Sequence, residues 1–170
     1  MRFFGRASEW RYSEESLLRY FMAKINIVLY EPEIPQNTGN IARLCACCGA
    51  SLYLVGKLGF SLSSKYTKRA GLDYWESVDL HKVDTMEQLY DEFPDGTFYY
   101  LTTKTDKLYT DIDFKDGDFI VFGPETRGLP DKYVKDSHAR TIPMKEGQRS
   151  LNLSNSVAIV AYEAIRQNGL

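Results

Sequence analysis

From Ile25 onward the chain alternates between two hydrophobic periods, and this alternation constrains its fold more than any other feature. Short apolar runs, many rich in β-branched residues, read as strands: INIVLY (25–30), SLYLVG (51–56), VDLHKV (78–83), TFYYLTT (97–103), DFIVFG (118–123) and ARTIPM (139–144). Helical patterns separate them. Asn37 to Cys48 reads as a helix capped by Asn37 and ended by Gly49, and Ser64 to Gly71 as a shorter one. TMEQLYDEF (85–93) has Thr85 as its cap, and Pro130 opens a brief helix to Ser137. A C-terminal helix runs from Asn152 to Gln167, with Val157, Val160, Ala161, Ala164 and Ile165 as its apolar stripe. Strand and helix in repeating order predict an α/β fold: a mostly parallel sheet flanked by helices. Ligands of such sheets bind beyond the carboxyl ends of the strands, so the loops there are the place to look for chemistry.

With 170 residues the chain is long enough for one domain with a real core. Its apolar runs are too short to span a bilayer. A net charge of -2 argues against a surface coated in basic residues, though not against a local basic patch. Cys45, Cys47 and Cys48 cluster in one predicted helix, which speaks for a reducing, cytoplasmic setting rather than a disulfide framework. No second Cys or His pair lies near enough in sequence to complete a metal shell, so no metal is expected. Residues 1–21 carry four Arg and three Glu and lack the pattern of a signal peptide. Met22 then opens directly onto the first strand. The expected organisation is therefore a dispensable or mis-started extension over 1–21 and a single domain over 22–170.

Three loops are unusual. PEIPQNTGNIAR (32–43) holds two prolines, then Asn37, Gly39 and Asn40, with Arg43 one turn beyond Asn40. GPETRGLP (123–130) places Glu125 and Arg127 between two glycines, and a turn without function has no need of so much fixed geometry. The two charges can pair with each other, with a second subunit or with a substrate. RSLNLSNS (149–156) sets Ser150, Asn152, Ser154, Asn155 and Ser156 around a helix start where one cap would suffice.

Together the loops resemble the three signature motifs of the SPOUT class of RNA methyltransferases, most closely its small tRNA ribose 2'-O-methyltransferases, the TrmL (YibK-like) group. LYEPEIPQNTGNIARLCA is similar to the first motif, FGPETRGLP to the second and IPM...RSLNLSNSVAIVAYEA to the third; RAGLDYW (69–75) resembles a further segment of that group. The likeness covers about Ile25 to Gln167. It implies a deep C-terminal trefoil knot, a rare exception to the usual topology rules, and a homodimer built through the knot region whose partner completes each site. The implied activity is transfer of a methyl group from S-adenosylmethionine to the ribose 2'-hydroxyl of the tRNA wobble nucleotide, cytidine or 5-carboxymethylaminomethyluridine. Another tRNA or rRNA site, or a non-catalytic RNA-binding knot protein, are the competing readings.

Carried over motif by motif, the cofactor cradle comprises Leu101, Gly123, Ile142, Ser150 and Leu151. A side chain at Gly123 would block the cofactor's approach. The resemblance implicates Arg43 in activating the hydroxyl, with Asn40 and Asn155 positioning the group. An arginine does not readily deprotonate in a protein, so charge stabilisation is easier for Arg43 than base catalysis. His81 and His138 lie outside the motifs and read as structural. For RNA, Lys65, Lys68 and Arg69 cluster near Tyr66, Tyr74 and Trp75, with Arg149 and Tyr162 as further contacts. Basic residues interleaved with aromatics suit phosphate binding and base stacking.

Overall fold

The computed structural model describes residues 24–61 and 77–168. The 1–21 extension, the helix expected over 64–71 and the basic residues Lys65, Lys68 and Arg69 lie outside the described residues. Six strands form one sheet: β1 (Asn26–Tyr30), β2 (Ser51–Val55), β3 (Leu80–Val83), β4 (Phe98–Leu101), β5 (Phe119–Phe122) and β6 (Ala139–Arg140). Each pairing between neighbours is parallel. β1, β2 and β5 are buried nearly throughout, as continuous apolar runs in a sheet covered on both faces must be.

Among the described residues, four α-helices cover it. α1 (Pro35–Cys48) and α4 (Leu153–Gln167) pack together on one face, where Ile41, Cys45, Val157, Val160 and Ala164 meet Ile27, Leu52 and Ile120. α2 (Met86–Glu92) and α3 (Asp131–Val134) cover the other, where Met86, Leu89 and Tyr133 meet Val28, Tyr53 and Val121. The clustered thiols divide by this packing: Cys45 and Cys48 face the core and Cys47 faces outward. Burial raises the pKa of both inward thiols, so they behave as small core residues.

Two expectations need correction. Asn37 does not cap α1: the helix starts at Pro35 with Ile34 in the cap position, and Asn37 is buried in the first turn. Proline suits that first position because its missing N–H has no helical partner to lose. The 139–144 strand shortens to two residues, although Thr141 still bridges to Leu108.

The strand order is β3-β2-β1-β5-β4-β6. An ordinary doubly wound sheet runs 3-2-1-4-5-6, so here the chain leaves β3, crosses to β4 and only then fills the gap with β5. The end of the sheet is as unusual. Tyr100 and Thr102 donate their N–H groups to the carbonyls of His138 and Arg140 (3.3 and 2.9 Å). Beyond, Thr141 N–H donates to Lys107 O (2.8 Å) and Tyr109 N–H to Thr141 O (2.9 Å). Segment 138–141 is thus gripped on both sides by parts of one continuous chain, residues 100–109.

Candidate active site

At the carboxyl ends of β4, β5 and β6 lies a cleft of about 460 Å³, within the range of roughly 300–1,000 Å³ usual for small-molecule sites. Leu101, Gly123, Ile142, Ser150 and Leu151, the residues expected to hold a cofactor, all line it, and so does Arg149. Leu101, Phe122, Leu129 and Ile142 give it apolar walls, while Thr102, Glu125 and Asn152 add polar groups. Apolar side chains beside a comparable share of polar and charged ones suit a nucleoside with a charged tail, so the cleft fits the adenosyl cofactor that the motifs imply.

One wall is the loop from Gly123 to Gly128, and its conformation depends on both glycines. A Cβ at Gly123 would stand 2.5 Å from Leu129 N and 2.6 Å from Gly128 C. The absent side chain therefore makes room for the protein's own returning loop before it can serve any ligand, which revises the reason expected for this glycine. Gly128 has φ +70°, a left-handed turn that side chains disfavour.

Glu125 and Arg127 do not form the mutual pair that was one of the sequence-based alternatives. Both reach back within the chain to the 31–37 segment. The Glu125 carboxylate accepts from Glu33 N (2.8 Å), Ile34 N (3.2 Å) and Asn37 Nδ2 (3.0 Å). Arg127 forms an ion pair with Glu31. In return the Glu33 carboxylate accepts from Thr126 N (3.0 Å) and Thr126 Oγ1 (2.7 Å). These bonds, the hydroxyl's first, hold the Glu33 pKa below its ordinary value.

A one-way hydrogen-bond chain leads from this wall to both helices. An ionised carboxylate only accepts, so Asn37 must turn its amide nitrogen toward Glu125. Its oxygen is then left to accept from Asn152 Nδ2 (3.0 Å). That fixes Asn152 in turn, whose oxygen caps α4 by accepting from Ser154 N (2.9 Å) and Asn155 N (3.4 Å). Asn37 and Asn152 are the residues that tie the site together. Sequence reasoning took Asn37 for a cap and Asn152 for one of several polar residues around a helix start, and overlooked the bond between them.

The expected catalytic group does not converge on the cleft within one chain. Asn40 and Arg43 are exposed on α1, and Asn155 is exposed one turn beyond Asn152 on α4. None of the three lines the cleft. Tyr162 is 44% exposed and lies on the same outward face of α4 as Asn155 and Ile159. Both histidines sit away from the cleft lining: His81 stacks on Tyr53 at 4.5 Å and bonds Asp79, and His138 packs edge-on against Tyr99. Among the described residues, no group of three or more metal-binding side chains comes together, and no helix is long and apolar enough to cross a membrane.

Comparison with known proteins places this architecture. The tRNA (cytidine(34)-2'-O)-methyltransferase of Methylovorus glucosotrophus is 49% identical over 147 residues, covering 84% of this chain and 95% of that protein. The enzyme of the same name from Yersinia pestis is 47% identical over 154 residues, covering 85% and 94%. A solved structure concerning the 2-OH methylation of C/U34 on tRNA matches with a TM-score of 0.80 at 42% identity, covering 85% of this chain and 96% of that one. The SpoU rRNA Methylase family matches residues 24–162, spanning all three loops up to the last turns of α4, and the chain belongs to that family.

Proposed function

We propose that this protein methylates the ribose 2'-hydroxyl of the wobble nucleotide of tRNA, cytidine or a modified uridine, with S-adenosylmethionine as donor. The observation that carries the reading is the convergence of the three motif loops on one cleft, in a chain nearly half identical to enzymes named for that reaction. Bound S-adenosylmethionine supplies an activated methyl group on a sulfonium sulfur. The chain's own part is to hold that donor, align the ribose oxygen and stabilise the charge that develops as its proton leaves. Leu101, Gly123, Ile142, Ser150 and Leu151 would form the cradle. Arg43 would hydrogen-bond the ribose oxygen; its permanent charge stabilises an alkoxide without proton exchange. Asn40 and Asn155 would orient that group from their outward helix faces. Much of the rate then comes from positioning.

Arg43 and the cradle do not share a cleft in one chain, and a site built from two copies accounts for this. We infer a homodimer in which the outward faces of α1 and α4 meet the second copy. Ile159 and Tyr162, both exposed apolar residues on α4, support that reading. A mixed dimer of Arg43→Ala and Gly123→Ala chains should then regain activity that neither variant has alone. The trefoil knot belongs to the same proposal. Its support is the grip of residues 100–109 on both sides of segment 138–141. The basic run Lys65, Lys68 and Arg69, together with Arg149, would meet tRNA phosphates, so binding should weaken steeply with salt. Free thiols at Cys45, Cys47 and Cys48 favour a cytoplasmic setting.

The test is calorimetric titration with S-adenosylmethionine followed by methyl transfer into tRNA lacking the wobble modification. Methylation mapped to the wobble ribose is the expected result. Methylation at another nucleotide, or in rRNA, would overturn the assigned target, and no binding of the donor would overturn the reading as a whole.

A further inference from the structure

The 31–33 segment is held in an unfavourable conformation by more contacts than a connecting loop needs. Glu31 has φ +47°, the left-handed region that few side chains adopt, directly before Pro32. Such geometry persists only where the surroundings over-determine it. Here they do. Glu31 N–H donates to Val55 O (2.8 Å), and Gly59 N–H donates to Pro32 O (2.9 Å). Gly56 and Gly59 press against the segment so closely that a Cβ on either would stand 2.8 Å from Glu31 Cγ or Glu33 Cα. The bent backbone aims two carboxylates, Glu31 and Glu33, at Arg127 and Thr126 on the cleft wall. Glu125 sends its own carboxylate the opposite way, onto Glu33 N.

We propose that Glu31, Glu33, Thr126 and Arg127 are positioning residues, forming a reciprocal clasp that sets the cofactor wall against the start of α1. Two loops separated by some ninety positions in sequence exchange carboxylates, each satisfying backbone N–H groups of the other. One exchange alone would anchor the wall through a single carboxylate. The second, with the Glu31–Arg127 pair beside it, fixes the orientation of residues 125–127, and through Gly123 and Leu129 the width of the cleft. The clasp lies at the surface, so it is suited to setting geometry more than to supplying stability, since exposed ion pairs contribute little. It rests on the functional reading above, because the wall it sets is that of the donor site.

Thr126→Val removes the hydroxyl donor, Thr126→Ser restores it, and Glu33→Gln keeps the shape of the side chain but not its charge. The dissociation constant and KM for S-adenosylmethionine, kcat at saturating donor and the melting temperature would be measured for each. In the cofactor-free protein, hydrogen exchange at the amides of Glu33, Ile34 and Thr126 would be followed. A charge-assisted hydrogen bond is among the stronger side-chain interactions, so Thr126→Val and Glu33→Gln should each raise the donor dissociation constant and KM about tenfold. The kcat should change by less than about threefold, and the Thr126 amide should exchange faster without cofactor. The double variant should be little worse than either single one, and Thr126→Ser should bind like the parent. Parental KM and exchange in Thr126→Val and Glu33→Gln would overturn the clasp. So would a KM rise that Thr126→Ser fails to reverse. A parent protein that binds no donor would overturn the functional reading, and the clasp's role with it; a parent that binds beside unaffected variants would overturn the clasp alone.

Discussion

The two ends of the sheet handle buried polar groups in opposite ways. At the amino end each group bonds within its own turn or to the segment just before a neighbouring strand. Asp118 accepts from Lys115 N (2.7 Å), Asn26 donates to Gly117 O (2.8 Å), and Ser51 donates to Asp79 (2.7 Å), which also bonds His81. At the carboxyl end the bonds tie loops and helices beyond the strands: the 125–127 wall to the 31–37 segment, then Asn37 to Asn152 across two helices. The first arrangement seals a surface. The second holds apart the walls of a cleft that stays open, and keeps polar side chains aimed along its rim. Substitutions at the carboxyl end should therefore change activity first, and those at the amino end only stability.

Arg43→Ala tests this contrast most severely. Removing one preorganised donor to a developing oxyanion costs on the order of 10²–10³ in rate, so turnover should fall by at least that much. Arg43 does not line the cleft, so donor binding measured by calorimetry should stay within about threefold of the parent. Loss of donor affinity in this variant would place Arg43 in the cofactor site and undo the two-copy reading. Gly123→Ala should do the reverse. Its Cβ would meet backbone atoms that cannot swing aside, and overpacking of this kind costs about 1–3 kcal/mol. Donor binding and the melting temperature should drop together.

Glu125 gives a graded case. Glu125→Ala strands the N–H groups of Glu33 and Ile34 and frees Asn37 to turn over. Stability should fall by about 2 kcal/mol, the cost of leaving partly buried donors unpaired. Glu125→Gln keeps one acceptor oxygen but turns an N–H₂ group toward a donor, so it should fall between parent and alanine in both urea midpoint and turnover. Equal loss in both variants would mean that the charge matters and the acceptor count does not.

Much of this end of the molecule was legible in the sequence, and what was missed has a common cause. Periodicity alone gives the helices and the parallel sheet, because those depend on local pattern. It does not give the order β3-β2-β1-β5-β4-β6, which depends on where a crossing chain finds room. The motif loops could be marked as unusual, and the five cradle residues do line one cleft. Which asparagine does what was not legible. Asn37 and Asn40 share one turn of helix, and so do Asn152 and Asn155; only the packing of α1 on α4 buries Asn37 and leaves Asn40 outside. Glu125 and Arg127 mislead for the same reason. Two opposite charges two residues apart invite pairing, yet their partners lie some ninety residues away in a segment bent by a left-handed glutamate.

The amino end offers the smallest effects and the cleanest control, because two of its carboxyl groups are shifted in opposite directions. The Ser51 hydroxyl, with His81 behind it, holds the Asp79 pKa below its ordinary value. A depressed carboxyl stabilises the fold above its unfolded pKa and loses that contribution as the pH falls through the folded one. Ser51→Ala should therefore cost about 1 kcal/mol at neutral pH and flatten the acid side of the stability profile. Asp118 behaves in the opposite sense, since burial raises its pKa. Its contribution is greatest below the unfolded pKa and declines as the pH rises through the folded value. Asp118→Asn keeps an oxygen for Lys115 N–H without the buried charge, so it should match or exceed the parent in stability at neutral pH, by under about 1 kcal/mol. Its advantage should shrink toward low pH, where Asp118 itself is neutral. Thermal melts between acid and neutral pH would read both slopes. If either variant changed donor binding, the two ends of the sheet would be coupled, and the division between a sealed end and a working end would fail.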